Sequence, residues 1–171
     1  ARSQPQRVGE VIDKARTDGI ATTVDAVRAK LAQPIPLGYS SAGVVVAVGR
    51  DVEGLAVGDL VAGAGPHAEV ASIPANLVAP VPDGVDPADA AFATIGSIGL
   101  QGVRLAAPTL GERVVVTGLG LVGLLVVQLL RAHGCGVLGI DPNPDRRRRA
   151  EALGADAVDP SHDVVATAEA F

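Results

Sequence analysis

Aromatic side chains are nearly missing from this chain: one Tyr, two Phe and no Trp in 171 residues. The formal net charge is -5, from 14 basic and 19 acidic residues. Neither stacking platforms nor a basic groove is therefore available, and a nucleic-acid partner is not expected. Cys135 is the single cysteine, which excludes an intrachain disulfide framework and any multi-cysteine zinc cluster. No basic, apolar and small-residue leader opens the sequence, so a cytoplasmic location is the expectation. Methionine is absent even at position 1, and the first residues are polar with no strand signal; the chain reads as a piece of a longer protein. What it does have is apolar bulk, 48% of its residues, enough for one good core or two small ones.

The strongest pattern is Val114-Val115-Val116-Thr117-Gly118-Leu119-Gly120-Leu121-Val122-Gly123, followed by Val137-Leu138-Gly139-Ile140-Asp141. It reads as a strand, a glycine turn, a helix and a second strand closed by an acid. Gly118 permits the tight turn, Gly120 lets backbone approach a pyrophosphate, and Gly123 lets the helix pack close to the sheet. Amides of Gly118 to Gly123, with Leu119, Leu121 and Val122 between the glycines, then face phosphates at a helix start. Asp141 follows Gly123 by 18 residues, where a strand end presents a carboxylate to the hydroxyls of an adenosine ribose. The alternative of a plain glycine turn in an α/β domain does not account for the flanking run, helix and acid together. A membrane span is the other alternative, since Val114 to Leu130 carries no charge over 17 residues. Three glycines interrupt it, and it falls short of the roughly 20 residues a bilayer core requires.

Upstream, Val8, Val11, Ile12 and Ala15 share a helical face, as do Ile20, Val24, Val27 and Leu31 after Asp18-Gly19, which predicts two short amphipathic helices ended by Pro34 and Pro36. Gly43 to Val48 predicts a strand with a turn at Gly49-Arg50-Asp51, Leu60 to Ala62 another, and the alternation from His67 to Ile73 a half-buried third. Short strands with frequent turns suggest barrel-like β structure. At Asp86-Pro87 an N-cap acid and a first-turn proline begin helical patterning through Ala91 and again from Ile98 to Leu105. This shift predicts two domains, 1–85 and 86–171. Pro144 to Leu153 predicts a basic helix capped by Gly154, and Ala155 to Val158 a third strand of the second sheet. A full doubly wound sheet needs more strands after Asp159, so only its first half is expected.

With Pro36-Leu37-Gly38-Tyr39-Ser40-Ser41-Ala42-Gly43-Val44-Val45, Val57-Gly58-Asp59-Leu60-Val61-Ala62 and the glycine fingerprint in that order, the chain resembles the medium-chain dehydrogenase/reductase superfamily, the zinc-type alcohol dehydrogenase relatives. Within it the sequence looks most like the subgroup fused to a second oxidoreductase domain of the glucose-fructose oxidoreductase type. The resemblance implies an α/β protein: a partial GroES-like β-barrel, then the first half of a Rossmann sheet, with the active site between them. The zinc enzymes of the family carry Gly-His-Glu where this chain has Gly38-Tyr39-Ser40, and a cysteine where it has Thr94-Ile95-Gly96. A phenol and a hydroxyl do not replace imidazole and carboxylate at a catalytic zinc. No zinc is expected, and Tyr39 and Ser40 become the candidates for polarising a substrate oxygen and protonating it. His67 reads as a hydrogen-bonded strand residue, and His133 and His162 as surface residues.

The resemblance also implies that Asp141, Asn143 and Arg146 surround the adenosine ribose. A fixed carboxylate at Asp141 repels a 2′-phosphate, so NAD is expected over NADP; the cations Arg146 to Arg149 are the opposing hint. The expectation is a zinc-independent, NAD(H)-dependent oxidoreductase acting on a small carbonyl, alcohol or alkene, with a small-molecule substrate, no membrane association, and a homo-oligomer or fused second domain in the whole protein. The competing expectation is a catalytically incompetent nucleotide-binding or subunit-contact fragment. A methyltransferase is the third, but those enzymes place an acid just before the glycines, where this chain has Val116-Thr117.

Overall fold

Two three-stranded sheets, one antiparallel and one parallel, organise the computed structural model, which describes Gly19, Asp25, 36–161 and 163–171. The two helices predicted before Pro34, and His162, lie outside the described residues.

In the antiparallel sheet, β1 (Ser41–Val44), β2 (Leu60–Gly63) and β3 (Val78–Pro80) follow in that order. Ser41 pairs with Gly63 and Val44 with Leu60, while Val61 faces Pro80. β3 is an edge strand, where a proline without an N–H is tolerated. The predicted run Gly43 to Val48 stops as a strand at Val44, although Val45 still exchanges backbone bonds with Asp59 and Gly58, each at 2.9 Å. The predicted strand His67 to Ile73 is not formed. The cause is visible in the glycines: a Cβ on Gly65 would collide with the Ile73 side chain, and the same side chain lies 3.5 Å from a Cβ position on Gly63. Ile73 folds back onto these bare backbone faces, so 66–74 returns as a loop with no strand beside it. A 3-10 turn (Ala75–Leu77) then delivers β3, which periodicity did not reveal.

Asp86 caps α1 (Pro87–Ala90) by accepting from the Ala88 amide at 2.7 Å, with Pro87 in the first turn, as its sequence predicts. α2 (Ala93–Ala106) is longer than the Ile98 to Leu105 pattern and ends with Ala107 in the left-handed region. The parallel sheet comprises β4 (Arg113–Thr117), β5 (Gly136–Ile140) and β6 (Asp156–Val158), and β5 lies in the middle. α3 (Leu121–Ala132) crosses from β4 to β5, and α4 (Pro144–Ala152) from β5 to β6, each the helical crossover that parallel pairing needs. α5 (Val164–Ala170) follows, capped by Asp163, which accepts from the Ala166 amide at 3.0 Å.

The core sits under this second sheet. Val116, Leu119, Val127, Leu130, Cys135, Val137, Ala150 and Ala155 form one buried cluster. Each fully buried Leu or Val there contributes about 1.5–3 kcal/mol relative to exposure. Close helix packing relies on Gly99, where a Cβ would sit 3.1 Å from Val126 of α3. Among the described residues no helix is long and apolar enough to cross a membrane.

Candidate functional site

The register of the parallel sheet brings the glycine turn and the acid to one edge. Thr117 pairs with Ile140, the Gly118 amide donates to the Ile140 carbonyl at 2.8 Å, and the Asp141 amide donates to Val158 at 3.3 Å. The chain turns at Gly118 with φ +88°, a left-handed conformation that favours glycine. Gly123 is glycine for a different reason: a methyl there would run into the Gly118 carbonyl oxygen. Gly120 is extended and ordinary in φ, and no heavy atom lies within 4 Å of where its Cβ would stand. The space that Gly120 keeps clear lies at the start of α3, whose first main-chain bond runs from the Leu124 amide to the Gly120 carbonyl. Amides of the first turn are therefore left without helical partners.

Leu119 points the other way, wholly buried, with its side chain seated over Gly139. Its amide donates to Asp141 Oδ2 at 2.8 Å. Asp141 Oδ1 accepts from the Asn143 amide at 2.8 Å, and Arg146 Nη1 stands 3.5 Å from Oδ2. The Asn143 amide chiefly, joined by the Leu119 amide and the Arg146 charge, holds the Asp141 carboxyl below the usual range against the opposing effect of burial. The acid thus ties the glycine turn to the start of α4. Asn143 caps α4, its Oδ1 accepting from Asp145 at 2.8 Å and Arg146 at 3.3 Å.

The four arginines diverge as helical geometry requires. Arg146 reaches Asp141 with its side chain half exposed, Arg147 bonds the Asp141 carbonyl at 2.7 Å and Asp159 at 2.8 Å, and Arg148 pairs with Asp145.

The other candidate cluster lies where the chain enters β1. Gly38 is left-handed at φ +77°, and the His67 imidazole packs directly on its bare face, in the space a Cβ would occupy. Tyr39 is 57% exposed. Ser40 is buried, and its Oγ donates to the Ala91 carbonyl just after α1 at 2.5 Å. That bond occupies the only proton Ser40 has to give. His67 lies in an exposed bend rather than in the expected strand, and sequence reasoning missed its place beside Gly38 because 29 residues separate them. His133 is exposed as expected, its Nε2 3.1 Å from the Pro108 carbonyl. A cavity of about 420 Å³ lies on the antiparallel sheet, lined by Val44, Val61, Ile73 and Val78 among others. Its wall takes in Ser41, Pro66 and Ala68 but leaves Gly38, Tyr39, Ser40 and His67 outside. Among the described residues no three His, Cys, Asp or Glu side chains come together as metal ligands.

Comparison with known proteins agrees with both halves of this geometry. Residues 10–83 match the family model of the alcohol dehydrogenase GroES-like domain, and residues 122–171 that of zinc-binding dehydrogenases. The chain is 31% identical over 163 residues to (R,R)-butanediol dehydrogenase of Bacillus subtilis, covering 78% of this chain and 47% of that protein. It superposes on a quinone oxidoreductase from Pseudomonas syringae with a TM-score of 0.66 and 32% identity, over 79% of this chain and 46% of the other. A Sinorhizobium meliloti protein assigned to the zinc-binding dehydrogenases and bound to NADP gives a TM-score of 0.68 at 28% identity, covering 78% of this chain and 48% of the other. The chain spans about half the length, or less, of the curated relatives it matches.

Proposed function

Given that the chain belongs to the medium-chain dehydrogenase/reductase superfamily, we propose that it is the cofactor-binding part of a zinc-independent, NAD(H)-dependent oxidoreductase acting on a small carbonyl, alcohol or alkene. The observation that carries this reading is Asp141, fixed at the end of β5 and bonded to the Leu119 amide of the glycine turn. The clear space beside Gly120 fits a pyrophosphate approaching bare backbone, with the first-turn amides of α3 as its donors. Asp141 would hold the adenosine ribose, with Asn143 and Arg146 flanking it. Such a cofactor supplies or accepts a hydride; the chain's part is to bind it, orient it and hold a proton near the substrate oxygen.

The preference for NAD over NADP rests on the Asp141 charge, which disfavours a 2′-phosphate. The donor set at 38–40 does not fit a catalytic zinc, which needs three protein ligands and an open position. Tyr39 and Ser40 offer hydroxyls, and the Ser40 proton is engaged with Ala91. Tyr39 is therefore the donor we assign to the substrate oxygen.

Fluorescence titration of the protein with NADH and with NADPH tests the reading. Tighter binding of NADH supports it; preference for NADPH, or no binding of either, overturns it. The chain's coverage of about half its relatives favours one second reading, a nucleotide-binding piece that does not catalyse alone. Hydride transfer that appears only in a longer polypeptide would establish that.

A further inference from the structure

The exit of β5 is held by a residue that the cofactor reading does not use. The ladder with β6 ends where Ile140 faces Val158, so the Asp141 carbonyl lies past its last pair, and Pro142 and Pro144 bring no N–H to the turn that follows. Arg147 supplies a donor there. Its Nη1 bonds the Asp141 carbonyl at 2.7 Å and, from the same nitrogen, Asp159 Oδ2 at 2.8 Å. Asp159 is fixed in turn through its other oxygen, Oδ1, which accepts from the Ser161 amide at 2.9 Å and the Ser161 hydroxyl at 2.7 Å. Arg147 is also the most inward of the three paired arginines of α4: its side chain is 20% exposed, against 53% for Arg146 and 67% for Arg148. From α4 it joins the ends of two neighbouring strands, and the residue it grips carries the carboxylate bonded to the glycine turn.

The direction of a short side chain follows its own backbone, so a shift of the Asp141 main chain carries the carboxylate with it. The Asp141 amide is tied to the Val158 carbonyl at 3.3 Å, and Arg147 ties the carbonyl side. We propose that Arg147, braced by Asp159, is a positioning residue for dinucleotide binding: it holds the main chain of Asp141 and so aims the carboxylate that meets the adenosine ribose. This rests on the cofactor-binding reading above. Arg147 acts through Asp141 and not on the ribose, whereas Arg146 lies beside the carboxylate itself at 3.5 Å.

Fluorescence titration of the full chain with NADH tests this. Arg147→Met, which keeps an unbranched stem and removes the donors, should weaken binding about fivefold, the scale of one net hydrogen bond. Arg147→Lys should come back to within about twofold of wild type, because both bonds leave a single nitrogen and an ammonium has donors enough for both. The decisive readout is coupling. In an Asp141→Ala background, Arg147→Met should add less than about twofold, since no carboxylate is left to aim, whereas independent effects would multiply. A purely structural loss would persist in both backgrounds. Asp159→Ala tests the brace from another element and should weaken binding about threefold; Arg148→Gln should change nothing. Binding by Arg147→Met within about twofold of wild type, no recovery in Arg147→Lys, or effects that multiply in the double variant would each overturn the proposal while leaving the cofactor reading intact. Failure of the wild type to bind either NADH or NADPH would overturn that reading, and this proposal with it.

Discussion

The two sheets make opposite use of a similar supply of small apolar residues. The parallel sheet and its crossovers bury Leu119, Val127, Leu130, Val137 and Leu138 almost completely. In the antiparallel sheet and its loops Val44, Val46 and Val70 are all more than half exposed, and the buried positions belong to Ser40, Ala62, Gly63 and Gly65. One region is held by side-chain burial, the other by backbone pairing and bare glycine faces. The binding atoms of the first are fixed amides and a caged carboxylate. The chemical groups of the second are a solvent-facing phenol and imidazole.

This contrast can be broken most directly at Gly123. Replacing it with Val forces a side chain against the Gly118 carbonyl, and dinucleotide affinity measured by fluorescence should fall at least about 100-fold, roughly 2.7 kcal/mol of binding. The contrast is sharpened by a pair of truncations read by urea denaturation. Leu130→Ala should cost about 2–5 kcal/mol, whereas Val44→Ala should cost less than about 1 kcal/mol, because its side chain is mostly exposed already. Comparable losses would mean that the two sheets are not built differently.

Asp141→Ala comes next. It leaves the Leu119 and Asn143 amides without their acceptor, and NADH affinity should drop by about tenfold. A pH prediction follows from the same region. The Asp141 carboxyl is held low chiefly by the Asn143 amide, and that of Asp159 chiefly by the Ser161 hydroxyl and amide, with Arg147 adding to it. Carboxyls lowered in the folded state contribute stability that is complete above their unfolded pKa of about 4 and is lost as pH falls through the folded value. Thermal melts should show the wild type losing its advantage over Asp159→Asn below about pH 4, and the gap between them should be flat above about pH 6. The smallest effect belongs to Arg113, whose guanidinium lies 5.6 Å from the Phe171 ring centroid; Arg113→Ala should cost about 0.5–1 kcal/mol.

Legibility in the sequence follows the same division. The parallel half is written in local signals: a β-branched run, glycines at fixed offsets, Asp86-Pro87 as a helix start, and Gly154 after the last turn of α4. Those determine backbone conformation within a few residues, and the structure follows them to within a residue or two at β4, α3, β5 and α4. The antiparallel half depends on partners far away. Nothing near 67–73 announces that Ile73 will cover Gly63 and Gly65, and the alternation there resembles a strand for want of that knowledge. Val78–Pro80 contains a proline that argues against a strand until its edge position is seen. The site divides likewise. Gly118, Gly120, Gly123 and Asp141 could be named from spacing, but the bond from Leu119 to Asp141 and the seat of His67 on Gly38 could not.

The bond from Leu119 to Asp141 also bears on speed. With the carboxylate anchoring the turn in advance, an arriving dinucleotide meets a receptor already cast, and little ordering remains to be done after collision. Differences in affinity among substitutions at 120–123 should then show themselves as shorter residence, while the rate of capture stays nearly constant.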